Sequence, residues 1–158
     1  QAQWIPGGSW HGGGIGGAVT AADGIDNVLA LGGDLTGNVD AGAGMLGSVV
    51  VTSQYDWTTG ETVGGSLRNV SITAASNRVN SLYAAGDMQN CSVEAHGLGS
   101  VVVGGDITED EGIHRRIHAA EGGFWAQDRR HGGHWIPDGA EYWFDEGEED
   151  GVCAWSGE

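Results

Sequence analysis

An internal repeat limits what this chain can become more than any other feature. Val28-Leu29-Ala30-Leu31-Gly32-Gly33-Asp34-Leu35, Leu82-Tyr83-Ala84-Ala85-Gly86-Asp87-Met88 and Val101-Val102-Val103-Gly104-Gly105-Asp106-Ile107 share one form. Leu46-Gly47-Ser48-Val49-Val50-Val51 and Leu98-Gly99-Ser100-Val101-Val102-Val103 are identical at every position. A single unit explains most of residues 25–107: apolar, any, Asn or Ser, apolar, any, apolar, any, small, then a glycine-rich corner. Its copies begin at Ile25, Leu35, Leu46, Leu67, Val79, Met88 and Leu98, and a distorted copy starts at Ile107 and ends at Ile117 and Ala119. The third position holds Asn27, Ser48, Asn69, Ser81, Asn90 and Ser100, with Asn38 displaced by one inserted residue in the second copy.

The unit has a physical reading. Inward side chains of a strand recur every second residue, as Val101, Val103 and Gly105 do. Leu98 to Val101 is a step of three, so the chain must turn between them for both to point inward. Asn and Ser suit such a corner, because Asn tolerates left-handed backbone angles and both bond nearby backbone groups. The Gly-Asp pairs supply the next corner. Units of this kind cannot bury their apolar face alone, but stacked copies share a core.

The expected fold is therefore all-β, a right-handed parallel β-solenoid. Handedness follows the general rule for parallel crossovers. Gly86 to Gly105, a step of 19 residues, is read as one coil of two units; three units per coil is the alternative. About four to five coils at ~4.8 Å each would make a rod of ~20–25 Å. The core should contain Val28, Val49, Val70, Ile72, Leu82, Cys91, Val93, Val101 and Val103.

These strings resemble a family of bacterial extracellular β-solenoid repeats of the type Leu-Gly-Ser-Val-x-Val-Gly-Gly-Asp-Leu or Ile. The pattern stands here at 98–107 and in part at 28–35 and 46–51. The resemblance covers about residues 25–120. It implies a right-handed β-helix on a cell surface or in a secreted protein, and no activity, because the family's motif residues are structural. The chain departs from the family in its two aromatic ends and in the interruption at 54–66.

Composition narrows the partners. Of 158 residues, 31 are Gly and 2 are Pro, which fits many tight corners and no collagen period. Acidic residues outnumber basic ones 22 to 6, for a net charge of -16. That excess repels phosphate backbones and anionic lipid, so neither nucleic acid nor membrane insertion is expected. No stretch is apolar over a membrane-spanning length. Gln1 at the start reads as a processed mature form, secreted or at the cell surface, with a fragment as the alternative.

Three segments follow: 1–24, the solenoid at 25–120 with a loop insertion at 54–66, and 121–158. The seven tryptophans all avoid the repeat units. Trp57 lies in the insertion, where Tyr55 and Trp57 form a candidate ligand loop. The others lie in the end segments. Those segments must cover the exposed core and strand edges of the outermost coils, either as caps or as contacts between subunits. The candidate contact residues are Trp4, Ile5, Trp10, Phe124, Trp125, Trp135, Ile136, Trp143, Phe144 and Trp155. Both ends carry a tag, Trp4-Ile5-Pro6-Gly7 and Trp135-Ile136-Pro137-Asp138.

No cofactor fingerprint, phosphate loop or nucleophile motif stands out, and the corner acids Asp34, Asp87 and Asp106 read as turn residues. The acidic run Asp145–Asp150 offers hard oxygen ligands for calcium but lacks EF-hand spacing. His114 and His118, and His131 and His134, stand at metal-ligand spacings, with Arg115 and Arg116 disfavouring a cation at the first pair. Cys91 falls on an inward position, and a bond to Cys153 is left open. The expectation is a non-enzymatic structural subunit that polymerises head-to-tail with itself into an extracellular filament or layer. The alternative is a monomeric adhesin or glycan-binding module.

Overall fold

The computed structural model describes residues 2–5, 8–11, 14–108, 117–129, 132–138 and 141–142. The strands are, in chain order, β1 (Ala2–Ile5), β2 (Gly8–His11), β3 (Val19–Thr20), β4 (Ile25–Leu31), β5 (Val39–Asp40), β6 (Leu46–Asp56), β7 (Glu61–Gly64), β8 (Leu67–Arg68), β9 (Ser71–Ala84), β10 (Met88–Gln89), β11 (Ser92–Val103), β12 (Ile107–Thr108), β13 (Ile117–Ala119), β14 (Phe124–Asp128), β15 (Gly132–Ile136) and β16 (Glu141–Tyr142). No helix occurs among them. They form a mostly parallel β-solenoid of about five turns.

Three parallel ladders build the rod. The broad face stacks Ser9, Val28, Val49, Leu82, Val101 and Ala126 through β2, β4, β6, β9, β11 and β14. A narrow face stacks Ile15, Leu35, Leu67, Met88 and Ile107. A third face stacks Val19, Val39, Ile72, Val93 and Ile117. Leu82 therefore pairs with Val101 one coil on, so two sequence units make one coil. Unit copies starting at Ile25, Leu46, Val79 and Leu98 run along the broad face. Their partners at Leu35, Leu67 and Met88 turn through the narrow and third faces.

All nine residues expected inside are buried, none more than 6% exposed. Each large aliphatic side chain so buried stabilises the fold by about 1.5–3 kcal/mol relative to exposure. The steps of three also hold, since Leu46 and Val49, and Leu98 and Val101, are buried pairs. The corner chemistry differs in part from expectation. Asn69 and Asn90 adopt left-handed angles, φ 55° and 54°. Asn27, Ser48, Ser81 and Ser100 instead sit within strands and are paired in register, so on the broad face the bend is made without a left-handed residue.

Glycine makes room for these bends. A Cβ on Gly47 would lie 2.1 Å from the Asp26 carbonyl oxygen, and one on Gly99 would lie 2.1 Å from that of Asn80. The second position of the unit thus alternates Asp26, Gly47, Asn80, Gly99 up the broad face. A coil with a side chain there is followed by one without.

The rod exceeds residues 25–120 on both sides. Ile15 and Val19 already belong to its ladders, and β14 adds a further rung over β11. The interruption is an antiparallel arm of β6 and β7, pairing Ser53 with Gly64 through Asp56 with Glu61. It leaves the coil after Thr52 and returns before Leu67, so the register on either side is kept.

Two outcomes follow. Leu82→Asp buries an unpaired charge and should abolish the cooperative thermal transition, whereas Tyr83→Asp, one residue on and facing out, should stay folded; circular dichroism melts distinguish them. Gly99→Ala should lower stability by about 1–3 kcal/mol in urea titration through overpacking. Gly17→Ala, where an added Cβ meets nothing within 4 Å, should leave stability unchanged.

Candidate binding surfaces

Four surfaces are candidates: the two ends, the arm and the outer side of the broad face.

Both ends close with antiparallel strands. At the start of the chain β1 pairs with β2, matching Trp4 to Ser9 and Gln3 to Trp10. At the far end β14 turns into β15, matching Trp125 to Trp135 and Phe124 to Ile136, while β16 closes the third face against β13. Trp4 and Ile5 thus lie on the outermost strand of one end, and Trp135 and Ile136 on an outermost strand of the other. Phe124 and Ile136 correct an expectation. They are 1% and 0% exposed and belong to the chain's own core, so they cap the rod and offer no surface to a neighbour. Trp125 and Trp135 remain 38% and 63% exposed. Trp143, Phe144, Trp155, Cys153, the Asp145–Asp150 run, His114 and His131 lie outside the described residues.

The two exposed indoles are seated by glycine. A Cβ on Gly133 would meet Cζ2 of Trp125 at 2.1 Å, and one on Gly123 would meet Cζ2 of Trp135 at 2.6 Å. Each ring therefore lies over a glycine on the other side of the hairpin. The Trp125 Nε1–H donates to Gln127 Oε1 at 3.3 Å. Asp138 accepts the Gly122 N–H at 2.9 Å and ties the hairpin's return to its start.

On the arm, Tyr55 and Trp57 meet edge to face, with ring centroids 4.8 Å apart at 77°. Trp57 is 89% exposed. With Gln54, Thr58 and Val63 they line an open groove of about 310 Å³.

The broad face carries a surface that sequence reading passed over. Outward between the buried positions stand Leu29, Val50, Tyr83 and Val102, stacked directly upon one another. Tyr83 is 41% exposed. Beside this column runs a second, Asn27, Ser48, Ser81 and Ser100, continued by Trp125. Ser48 Oγ donates to Asn27 Oδ1 at 2.5 Å. On the other side stand Leu31, Thr52, Ala85 and Gly104. None of these side chains is charged, although 18% of the chain is.

Charge collects at the borders instead. Arg68 Nε meets Asp34 Oδ2 at 3.3 Å, and Arg129 Nη2 meets Asp106 Oδ2 at 2.7 Å. Hydrogen-bonded to Asp106 and facing its charge, the Arg129 guanidinium is raised further above its ordinary pKa. The acids also bind backbone. Asp34 accepts from the Ser66 N–H at 3.0 Å, Asp87 from Asp106 N–H at 2.9 Å, and buried Asp128 from Ile107 N–H at 3.2 Å. These carboxylates hold one coil to the next at the corners. Cys91 is buried and its Sγ donates to the Gln89 carbonyl at 3.2 Å. Among the described residues no three His, Cys, Asp or Glu side chains group as a metal site, and no helix is long and apolar enough to cross a membrane.

Compared with known proteins, the chain matches no family model, no curated protein and no solved structure.

Gly133→Ala should displace the Trp125 indole without unfolding the rod. Near-ultraviolet circular dichroism should lose part of its tryptophan signal while the far-ultraviolet β spectrum is kept.

Proposed function

We propose that this chain is a structural subunit that polymerises head-to-tail into an extracellular filament or surface layer. The observation that supports it is the match between the two ends. β2 and β14 both run parallel to the coils, and β1 and β15 run antiparallel to them. β1 and β15 therefore share one direction. Coaxial copies of the same polarity would set β1 of one beside β15 of the next as a parallel pair, and continuing the ladder register would place Trp4 beside His134 and Ile5 beside Trp135. Among the described residues β1 pairs only with β2 and β15 only with β14. Strand edges of this kind join chains through backbone hydrogen bonds, and a head-to-tail contact that does not close gives a filament.

Charge opposes this assembly. Each subunit brings a net charge of -16, so stacking concentrates like charge. The contact must be made by backbone and apolar groups, with the acids facing water and screened by salt or bridged by divalent cations. Extracellular placement rests on the family resemblance of the repeats and is part of the proposal. The alternative, a monomeric adhesin or glycan-binding module, is favoured by the 89% exposure of Trp57 on an arm that leaves the rod's register intact.

Electron microscopy and light scattering across a salt series test the first reading. Filaments should form at physiological salt, and low salt with a chelator should shorten them. Deleting residues 1–5, or placing a charge on the far edge with Trp135→Lys, should leave folded monomers. A chain that stays monomeric at every salt concentration, or filaments indifferent to both edge variants, would overturn head-to-tail assembly.

A further inference from the structure

We propose that the outer side of the broad face is a docking platform for a neutral polysaccharide, whose sugar rings lie flat along the column Leu29, Val50, Tyr83, Val102 and over Trp125 and Trp135. This does not rest on the polymer reading, since its main column runs along the side of the rod and only Trp125 and Trp135 belong to the closing hairpin of one end.

The platform's shape comes from the ladders. From β4 to β15 the face spans five strand spacings, about 24 Å, and from Asn27 to Leu31 about 13 Å, an area on the order of 300 Å². It is flat because in-register parallel coils set each outward side chain directly above its counterpart. Of its outward apolar residues Tyr83, Trp125 and Trp135 are exposed and Leu29, Val50 and Val102 half-buried, and exposed apolar patches are often functional. Tyr83, Trp125 and Trp135 lie on three of the last four rungs, spread over roughly 14 Å along the rod. The two indoles lie over Gly133 and Gly123, a seating that presents ring area outward.

Charge and area select the occupant. A need to keep like charges apart between coils does not explain two wholly neutral columns. The third face meets that need by interleaving, with Thr20, Asp40, Thr73, Glu94 and His118 in succession. On the broad face the outward columns from Leu29 to Val102 and from Asn27 to Ser100 hold no charge, and Asp26 and Arg78 stand at their margin. That suits a ligand with no charge of its own. A protein partner fits less well, since a stable interface buries about 800 Å² on each side. A second copy would also bring its own acidic corners against Asp34, Asp87 and Asp106. A sugar chain needs only a narrow track. The hydrogen-rich faces of pyranose rings pack on aromatic π faces, and their hydroxyls can bond the flanking column of Asn27, Ser48, Ser81 and Ser100, which offers uncharged donors and acceptors.

Co-sedimentation of the full chain with microcrystalline cellulose and with chitin tests this, with polystyrene beads as an apolar control. Saturable depletion by at least one polysaccharide is expected, little changed by salt, with far weaker retention on the beads. Tyr83→Ala and Trp125→Ala should each weaken it about ten-fold or more, and Ser81→Glu, which brings a charge onto the face without removing an aromatic, should do the same. Trp57→Ala on the arm should have no effect. Thermal melts establish that each variant is folded, and Ser81→Glu decides the matter if an aromatic variant is not. Depletion by neither solid overturns the proposal. So does equal retention on the beads, indifference to all three face variants, loss with Trp57→Ala instead, or a lateral dimer in solution that hides Tyr83.

Discussion

The spacing between hydrogen-bonded strands governs everything else in this molecule. Parallel pairing fixes successive coils about 4.8 Å apart, and in-register pairing sets each residue upon the same position of the coil before. Side chains are therefore chosen as columns. An inward column must be apolar throughout, because one polar member would be buried with no partner. The ladder Val28, Val49, Leu82, Val101 and the ladder Ile15, Leu35, Leu67, Met88, Ile107 obey this rule, with every member buried. Polar residues enter the interior only where stacking itself satisfies them. Asn90 is 3% exposed, and its amide donates to the Asn69 side chain at 3.3 Å on the coil before.

Close stacking also decides where backbone can bend. At a corner the chain approaches the coil before it more nearly than along a flat strand, and a Cβ is then the obstacle. Gly44 is the extreme case, since its Cβ would fall 1.8 Å from the Asp23 carbonyl oxygen. The carboxylates at the other corner address the complementary problem. Where the chain turns away, backbone N–H groups lose their ladder partners, and Asp34, Asp87 and Asp128 accept them instead. Glycine and aspartate in these repeats thus have one cause each: close approach, and an orphaned donor.

Much of this could be read from the sequence because column chemistry is periodic chemistry. The recurrence of Leu-Gly-Ser-Val-Val-Val gave the inward register and the paired units, and the avoidance of the repeat by tryptophan marked the arm and the ends. Corner type was less legible. Asn69 and Ser81 hold equivalent positions in their units, yet only the first adopts a left-handed angle, because the two units turn at different corners of the coil. The choice between cap and contact for Phe124 and Ile136 was hidden too, since exposure depends on the fold-back of β15 over β14, a contact with no repeat to announce it. The neutral platform was missed for another reason. Its residues Leu29, Val50, Tyr83 and Val102 occupy a position that varies freely when all copies are aligned together. Separated by alternate copies, the signal is plain: that position is apolar in every unit of the broad face, and it is Ser71 and Ser92 in intervening ones.

The column rule also disperses the acidic excess. Two like charges stacked one coil apart repel by about 1 kcal/mol even in water, and a ladder of them repeats that cost at every step. On the third face the acids Asp40 and Glu94 are separated by Thr73, and on the narrow face Arg68 stands between Thr36 and Gln89. Where acids do approach closely they are matched, as Asp106 is by Arg129 and Asp34 by Arg68. A rod can thus be strongly acidic as a whole while each column remains tolerable. The same geometry lets one face differ completely from the others, because a change of chemistry between columns costs nothing in pairing. A solenoid can keep some outward columns neutral and others charged, and the broad face of this chain, with its uncharged columns from Leu29 to Val102 and from Asn27 to Ser100, is built in that way.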